Sequence, residues 1–217
     1  ERLGKFLVSL GGHAPTASEL IEVMERFEQR RDCLRVFCQH SSARKGAEAL
    51  AQFFHDGSAP TEAPDERATV LGIPLAIVGG PLFPSQWMVL DTIERAGGCV
   101  VLNAAEPGER CLLPPLPSQA RREPPLAMLA NHYFDHVVDV FSRPNSRLYS
   151  WLAARLSDTK ARGIVLWAQV GCDLWRAEAA SLREAFGLPV LTMDSQGFQA
   201  GGAREANRLG AFIESLQ

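Results

Sequence analysis

The chain has 217 residues, of which 46% are hydrophobic and 22% charged, and its formal net charge is -3. This composition is typical of globular proteins, and the lack of any basic block argues against nucleic-acid binding. No apolar run approaches the roughly 20 residues needed to cross a bilayer, so we expect no membrane segment. Five cysteines in a chain of this size favour reduced thiols and a cytoplasmic protein over a disulfide framework. The chain opens inside a helical pattern, and we expect it to be a piece of a longer protein.

The N-terminal part is predicted to be helical. The sequence T-A-S-E from Thr16 is a capping box, in which the Thr hydroxyl and the Glu carboxylate each bond an N–H at the start of a helix. That helix extends to about Gln39, and Gly46–His55 form a shorter one. A stretch rich in Gly, Ser and Pro, Gly57–Pro64, then marks a boundary. We therefore expect two parts, a helical linker segment (1–65) and an α/β domain (66–217).

A β-α-β unit is predicted at the start of the second part. An apolar strand, Leu75–Val78, precedes a Gly-rich turn, and a helix over Trp87–Ala96 leads to a second strand, Cys99–Leu102. Two strands joined in this way are expected to be parallel. Glycines after the first strand let backbone amides approach a ligand, although such a turn is commonly only a turn. The candidate substrate-binding residues here are Gly79, Gly80 and Ser85.

The middle of the chain is predicted to be a long loop followed by two helices. Asn103–Pro125 contain six prolines, which favours irregular structure, and loops of this length tend to be lids or partner contacts. The next helix, Leu126–Val140, carries His132 and His136 one turn apart. Two histidines at this spacing can bind zinc, but no third ligand is evident in the sequence. A further helix is predicted over Arg147–Lys160.

The stretch from Arg162 to Asp194 organises the second part. Ile164–Ala168 are an apolar run, typical of a strand buried on both faces of a parallel sheet. A helix over Leu174–Phe186 and a strand that starts at Pro189 follow it. The four predicted strands alternate with helices, and a last helix ends the chain. This order indicates a flavodoxin-like, doubly wound parallel sheet with helices on both faces, preceded by the helical segment.

Cys172 lies between the predicted buried strand and the helix that follows it. Open α/β sheets bind ligands at this edge, where the strands end. One interpretation of Cys172 is a small buried apolar residue. The other is a thiolate near a helix N-terminus, where the helix dipole favours metal ligation or redox chemistry.

In order and spacing, these features resemble the C-terminal domain of 2-hydroxyacyl-CoA dehydratase and benzoyl-CoA reductase subunits. The resemblance covers nearly all of the chain. The matching stretches are I-P-L-A-I-V-G-G-P-L from Ile73, E-R-A-G-G from Glu94, G-E-R from Gly108, R-G-I-V from Arg162 with G-C-D from Gly171, L-P-V-L-T-M-D from Leu188, and the terminal Q-A-G-G-A-R-E-A…A-F-I-E-S-L.

The resemblance implies a subunit with two flavodoxin-like halves that hold an iron–sulfur cluster (4Fe-4S) between them. It also implies a paralogous partner subunit, an ATP-dependent activator protein that supplies single electrons, and an acyl-CoA substrate that becomes a ketyl radical. Cys172, followed by Asp173, matches a cluster cysteine of the family and is the expected metal ligand. Gln169 joins the substrate-binding candidates, since its amide can reach a thioester oxygen or a cluster sulfide.

Three functions are compatible with these observations. The first is a catalytic subunit, either a 2-hydroxyacyl-CoA dehydratase or an aryl-CoA reductase, with catalytic residues unknown. The second is a non-catalytic relative that keeps the fold for assembly or small-molecule binding, and the third is an unrelated flavodoxin-like domain. The other cluster cysteines of the family lie in an N-terminal half that this sequence lacks, so we expect no cluster in this chain alone. We expect one cleft, with Cys172 as a free thiol near the surface, lined by Gly80, Ser85, Gln169 and Cys172.

Overall fold

The computed structural model describes residues 2–61, 72–116, 124–194 and 202–217. The N-terminal part contains three helices, α1 (Arg2–Ser9), α2 (Ala17–His40) and α3 (Ala43–Asp56). The predicted capping box of α2 is confirmed. The Glu19 N–H donates to the Thr16 hydroxyl at 3.2 Å, and the Thr16 N–H donates to the Glu19 carboxylate at 2.7 Å.

The second part is a four-stranded parallel sheet flanked by helices. The strands are β1 (Ile73–Pro81), β2 (Gly98–Glu106), β3 (Gly163–Ala168) and β4 (Val190–Asp194). The helices are α4 (Met88–Arg95), α5 (Pro125–His136), α6 (Ser146–Thr159), α7 (Asp173–Phe186) and α8 (Ala203–Glu214). The strand order is β2-β1-β3-β4, and every neighbouring pair is parallel. The predicted flavodoxin-like architecture is therefore confirmed.

Two apolar cores lie on opposite faces of the sheet. Successive residues of β1 alternate between them, so that Leu75 and Ile77 face one core and Ala76 and Val78 the other. Helices α4 and α8 cover the first face, and α6 and α7 cover the second. All six residues of β3 are buried, as expected for a central strand with both faces covered.

The N-terminal helices pack beside β2. Ala47 of α3 belongs to the core that α4 and α8 cover. A third apolar cluster joins α2 and α3 to the segment after β2 through Leu34, Leu50, Phe53 and Leu112. The predicted boundary at residue 65 lies outside the described residues, as does most of the predicted turn over Ser195–Gly202. No helix of the described ranges is both long and apolar enough to cross a membrane.

Several element boundaries differ from the prediction. Helix α3 begins at Ala43, three residues before the predicted start at Gly46. β1 does not end at Val78 but continues to Pro81, and β2 does not end at Leu102 but continues to Glu106. The apolar pattern stops before the strands do because backbone pairing with a neighbouring strand requires no apolar side chain. Helix α5 ends at His136, four residues before the predicted end, since the backbone of Val137 is already extended.

Candidate functional site

The carboxyl ends of β1 and β3 form the switch point of the sheet. The connection from β1 leads to β2 on one side, and β4 follows β3 on the other side. In open α/β sheets the crevice at such a reversal is the usual ligand site. Gly79 and Gly80 lie at the end of β1, and Gln169 and Cys172 directly follow β3. The topology thus places four of the five predicted site residues at one edge.

The two glycines allow β1 to pack closely against β3 and α7. Gly79 has φ +150°, and an added Cβ would lie only 1.9 Å from the carbonyl oxygen of Trp167. A Cβ on Gly80 would lie 3.4 Å from Cδ1 of Trp175, a buried residue in the first turns of α7. Both glycines therefore have a packing role within this chain, and their contact with a ligand stays a prediction.

Gln169 ties the end of β3 to the end of β1. Its Nε2 donates to the Pro81 carbonyl oxygen at 2.5 Å and to Oε1 of Gln86 at 3.4 Å. The Trp167 indole N–H donates to the same Pro81 oxygen at 2.9 Å. Ser85, the fifth candidate, is exposed in a 3₁₀ turn over Pro84–Gln86. The amide donors of Gln169 are engaged within the chain, so its side-chain oxygen is the atom left for a ligand.

Cys172 is the N-cap residue of α7 and carries a free thiol. Its side chain is partly exposed and makes no capping hydrogen bond, and it packs against the edge of the core under α6 and α7. Gly171 before it adopts φ +83°, a conformation that favours glycine, and this turn directs the chain into α7. Cys172 is thus neither enclosed in the core nor fully exposed, and its thiol borders the switch point.

The other four cysteines are poor candidates for a metal ligand at this sheet edge. Burial raises the pKa of the Cys38 thiol to about 12, and burial also raises the pKa of Cys111. Both thiols therefore stay protonated near neutral pH. Cys99 is buried in β2, and Cys33 is exposed on α2, away from the sheet edge.

Sequence reasoning missed the main structural residue of this edge, Arg110. Its side chain is 3% exposed, and its guanidinium centre lies 5.4 Å from the Trp175 ring centroid. All of its donor nitrogens have acceptors. These are the carbonyl oxygens of Ala104 (3.0 Å), Gly79 (3.2 Å) and Val138 (3.0 Å), and the carboxylates of Glu106 (3.4 Å) and Asp139. Arg110 thus joins β1, β2, α7 and the α5–α6 connection. In the sequence, only its place in the G-E-R stretch from Gly108 pointed to a role for Arg110.

The two histidines of α5 bond to backbone rather than forming a metal site. His132 Nε2 lies 2.9 Å from the Pro114 carbonyl oxygen, and His136 Nδ1 lies 2.8 Å from the His132 carbonyl oxygen. Burial lowers the pKa of His132, which favours its neutral form. Within the described ranges no group of three or more Cys, His, Asp or Glu side chains is placed to hold a metal ion. Cys172 therefore offers one thiol ligand, and the described residues alone do not build a cluster site.

The comparison with protein families agrees with the resemblance seen in the motifs. The family model described as 2-hydroxyglutaryl-CoA dehydratase, D-component (HGD-D), matches residues 1–216. A comparison with curated proteins found no match. The match spans essentially the whole chain, which excludes an unrelated flavodoxin-like domain. The chain belongs to the 2-hydroxyglutaryl-CoA dehydratase D-component family.

Proposed function

We propose that this protein is a subunit of a 2-hydroxyacyl-CoA dehydratase type of enzyme that acts on an acyl-CoA thioester by one-electron chemistry. The family match over residues 1–216 carries the proposal, because it makes the chain a dehydratase-like component that works with partner subunits. The acyl-CoA substrate, the electron chemistry and the cofactor go beyond that match and are tested below.

Cys172 is the proposed iron ligand of this chain. Its thiol is free and partly exposed beside the switch point, and it lies at the start of a 14-residue helix. Iron is bound by the thiolate form of cysteine, and the partly exposed thiol can be reached by a cluster whose other ligands lie elsewhere. A four-iron cluster is normally held by four cysteines, so the other ligands must come from outside the described residues. Cys172 is thus one ligand of a shared [4Fe–4S] cluster.

The neighbouring residues are proposed to position the thioester at the same edge. Gly79 and Gly80 let the end of β1 pack tightly on β3 and α7, and we propose that this packing shapes the edge at which the thioester binds. The side-chain oxygen of Gln169 is oriented by the two hydrogen bonds that its amide nitrogen donates. Because this oxygen only accepts, it can bond a hydroxyl group of the substrate but not the thioester oxygen. Ser85, exposed on the 3₁₀ turn, adds a hydroxyl group. These groups bind and orient the substrate, and no catalytic residue is assigned among them.

A paralogous subunit and an ATP-dependent activator protein complete the proposal. The paralogous subunit is expected to form a dimer with this protein, and the activator is the source of single electrons. We also propose a cytoplasmic location, because all five cysteines are free thiols and thiols persist in reducing compartments.

Anaerobic iron–sulfur reconstitution of the longest natural form tests the role of Cys172. We expect the wild type and Cys33→Ser, which removes an exposed thiol on α2, to gain iron–sulfur absorbance, and Cys172→Ser to lose it. On the 217-residue chain, a thiol reagent is expected to modify Cys172 in the native state. A wild type without cluster absorbance, or a Cys172→Ser variant with a full cluster, would remove the iron-ligand role.

A non-catalytic relative is the second candidate, and one observation favours it. The described residues supply a single thiol at the switch point and no three-ligand metal group. A relative that has lost the cluster would keep the fold for assembly or small-molecule binding. Turnover of a 2-hydroxyacyl-CoA by the reconstituted protein with its activator separates the two candidates, since only the catalytic subunit supports it.

A further inference from the structure

A groove of about 470 Å³ lies beside the switch point, between the end of α5, the start of α6 and the segment after β2. We call it the α5–α6 groove. Its volume is within the range of about 300–1,000 Å³ of small-molecule sites. Arg110 lies in its wall, and the same guanidinium bonds the Gly79 carbonyl oxygen at the end of β1. The groove is thus joined to the candidate site through one buried side chain. Its apolar lining is formed by Leu112, Leu113, Pro114, Val138 and Trp151.

Trp151 gives the groove a flat apolar surface. It lies on α6, is partly exposed and lines the groove together with Arg147 and Ser150, one helical turn apart on the same face. An indole ring is a good partner for a planar heterocycle, and stacking of a nucleobase on an aromatic side chain is favourable for any base. A planar aromatic ligand therefore fits this wall better than a purely aliphatic one.

The wall at the end of α5 offers hydrogen-bond acceptors. His136 Nδ1 lies 2.8 Å from the His132 carbonyl oxygen, and a carbonyl only accepts, so Nδ1 carries the hydrogen. In the neutral ring Nε2 is then an acceptor, and it has no partner among the described residues. The Asp135 carboxylate lines the same wall. These groups suit the amino and hydroxyl groups of a ligand.

The opposite wall, at the start of α6, offers donors and positive charge. Arg147 is exposed and uses one Nη1 hydrogen for the Phe134 carbonyl oxygen at 2.9 Å, so its remaining donors are available to a ligand. The hydroxyl groups of Ser146 and Ser150 lie on the same wall. The N-cap side chain of Asn145 makes no capping hydrogen bond, and no acidic residue occurs in the first turn of α6. This wall is suited to an anion such as phosphate.

We infer that the α5–α6 groove binds a phosphorylated adenosine. The base stacks on Trp151, its amino group faces His136, and a phosphate group bonds Arg147 at the start of α6. The inference rests on the proposed function for its substrate, since the nucleotide end of an acyl-CoA is a phosphorylated adenosine. ATP also contains a phosphorylated adenosine, so the experiment compares ATP with the nucleotide end of CoA as the natural ligand.

Calorimetric titration of the 217-residue chain with adenosine 3′,5′-bisphosphate, the nucleotide end of CoA, tests the inference. ATP, adenosine and inorganic phosphate are titrated in parallel. We expect the bisphosphate to bind at least about tenfold more tightly than adenosine, because charge-assisted bonds to phosphate are strong. If CoA is the source, the bisphosphate is also expected to bind more tightly than ATP, whose phosphates are all on the 5′ position. Trp151→Leu is expected to weaken binding at least about fivefold through lost stacking.

Two charge variants and a control locate the site. Arg147→Gln is expected to remove the advantage of the bisphosphate over adenosine. Arg26→Gln, which changes an exposed arginine of α2 outside the groove, is expected to leave binding unchanged. Ser150→Asp places a negative charge in the groove on an exposed position, so it keeps the fold and is expected to weaken bisphosphate binding.

The contrary outcomes are distinct. No bisphosphate binding at millimolar concentration by the folded wild type overturns the inference, as does equal binding by the wild type, Arg147→Gln and Ser150→Asp. Tight ATP binding with weak bisphosphate binding overturns CoA as the source. The titration uses neither iron nor turnover. A missing cluster with intact bisphosphate binding therefore counts against the proposed function alone, and the reverse result counts against the groove alone.

Discussion

Replacement of Arg110 by Ala is expected to open the carboxyl edge of the sheet. The substitution leaves the buried carbonyl oxygens of Gly79 and Ala104 without the guanidinium, and it leaves the Asp139 carboxylate, which is 16% exposed, without its cation. Breaking a buried charge pair by removing one partner typically costs about 3–5 kcal/mol. Domains of this kind are stable by only about 5–15 kcal/mol, so this single change removes a large part of the free energy of unfolding.

Urea denaturation followed by circular dichroism measures the effect. Arg110→Lys keeps the charge but has three donors on one nitrogen, so it cannot reach acceptors on β1, β2 and the α5–α6 connection together, and we expect an intermediate loss. Arg26→Ala, an exposed arginine of α2, serves as the matched control and is expected to change stability by less than about 0.5 kcal/mol. An Arg110→Ala midpoint equal to that of the control would refute the bridging role of Arg110.

Three further predictions concern the sheet and one titrating group. Leu166→Ala truncates a side chain with 0% exposure in β3 and is expected to lower the free energy of unfolding by about 2–5 kcal/mol; an unchanged urea midpoint would contradict the buried-strand topology. Gly79→Ala is expected to lower the free energy of unfolding by more than about 4 kcal/mol, because its Cβ would lie 1.9 Å from a β3 carbonyl oxygen. The control is Gly97→Ala at an exposed position that also has positive φ but open space around it, and it is expected to lower the free energy of unfolding by less. Burial, together with the hydrogen bond donated to Glu178, raises the pKa of Tyr149 from 10.0 to about 12. As pH rises, the Tyr149 hydroxyl therefore loses its proton later in the folded state than in the unfolded chain. Its contribution to the free energy of unfolding is present below about pH 10 and is lost as pH rises toward 12. Urea denaturation across this range is expected to show a steeper loss for the wild type than for Tyr149→Phe, and equal pH dependence would contradict the shift.

Patterns among residues close together in the sequence were sufficient to predict most helices and strands of the fold. The run Ile164–Ala168 predicted the central strand β3 because a strand covered on both faces is apolar at every position. The capping box at Thr16 predicted the start of α2, since its hydrogen bonds join residues three positions apart. Gly187 predicted the end of α7, where the chain adopts φ +63°, a conformation that favours glycine. Each of these features depends on residues that are close in the chain.

The site at the sheet edge depended on contacts that no local pattern encodes. Arg110 is buried by partners that extend from Gly79 to Asp139, and polar contacts between distant segments leave no periodicity in the sequence. The α5–α6 groove likewise forms from three separate segments. The position of Cys172 after β3 followed from the sequence. Its partial exposure was decided by how α7 packs on the sheet, because burial is a property of the neighbours that tertiary structure brings together.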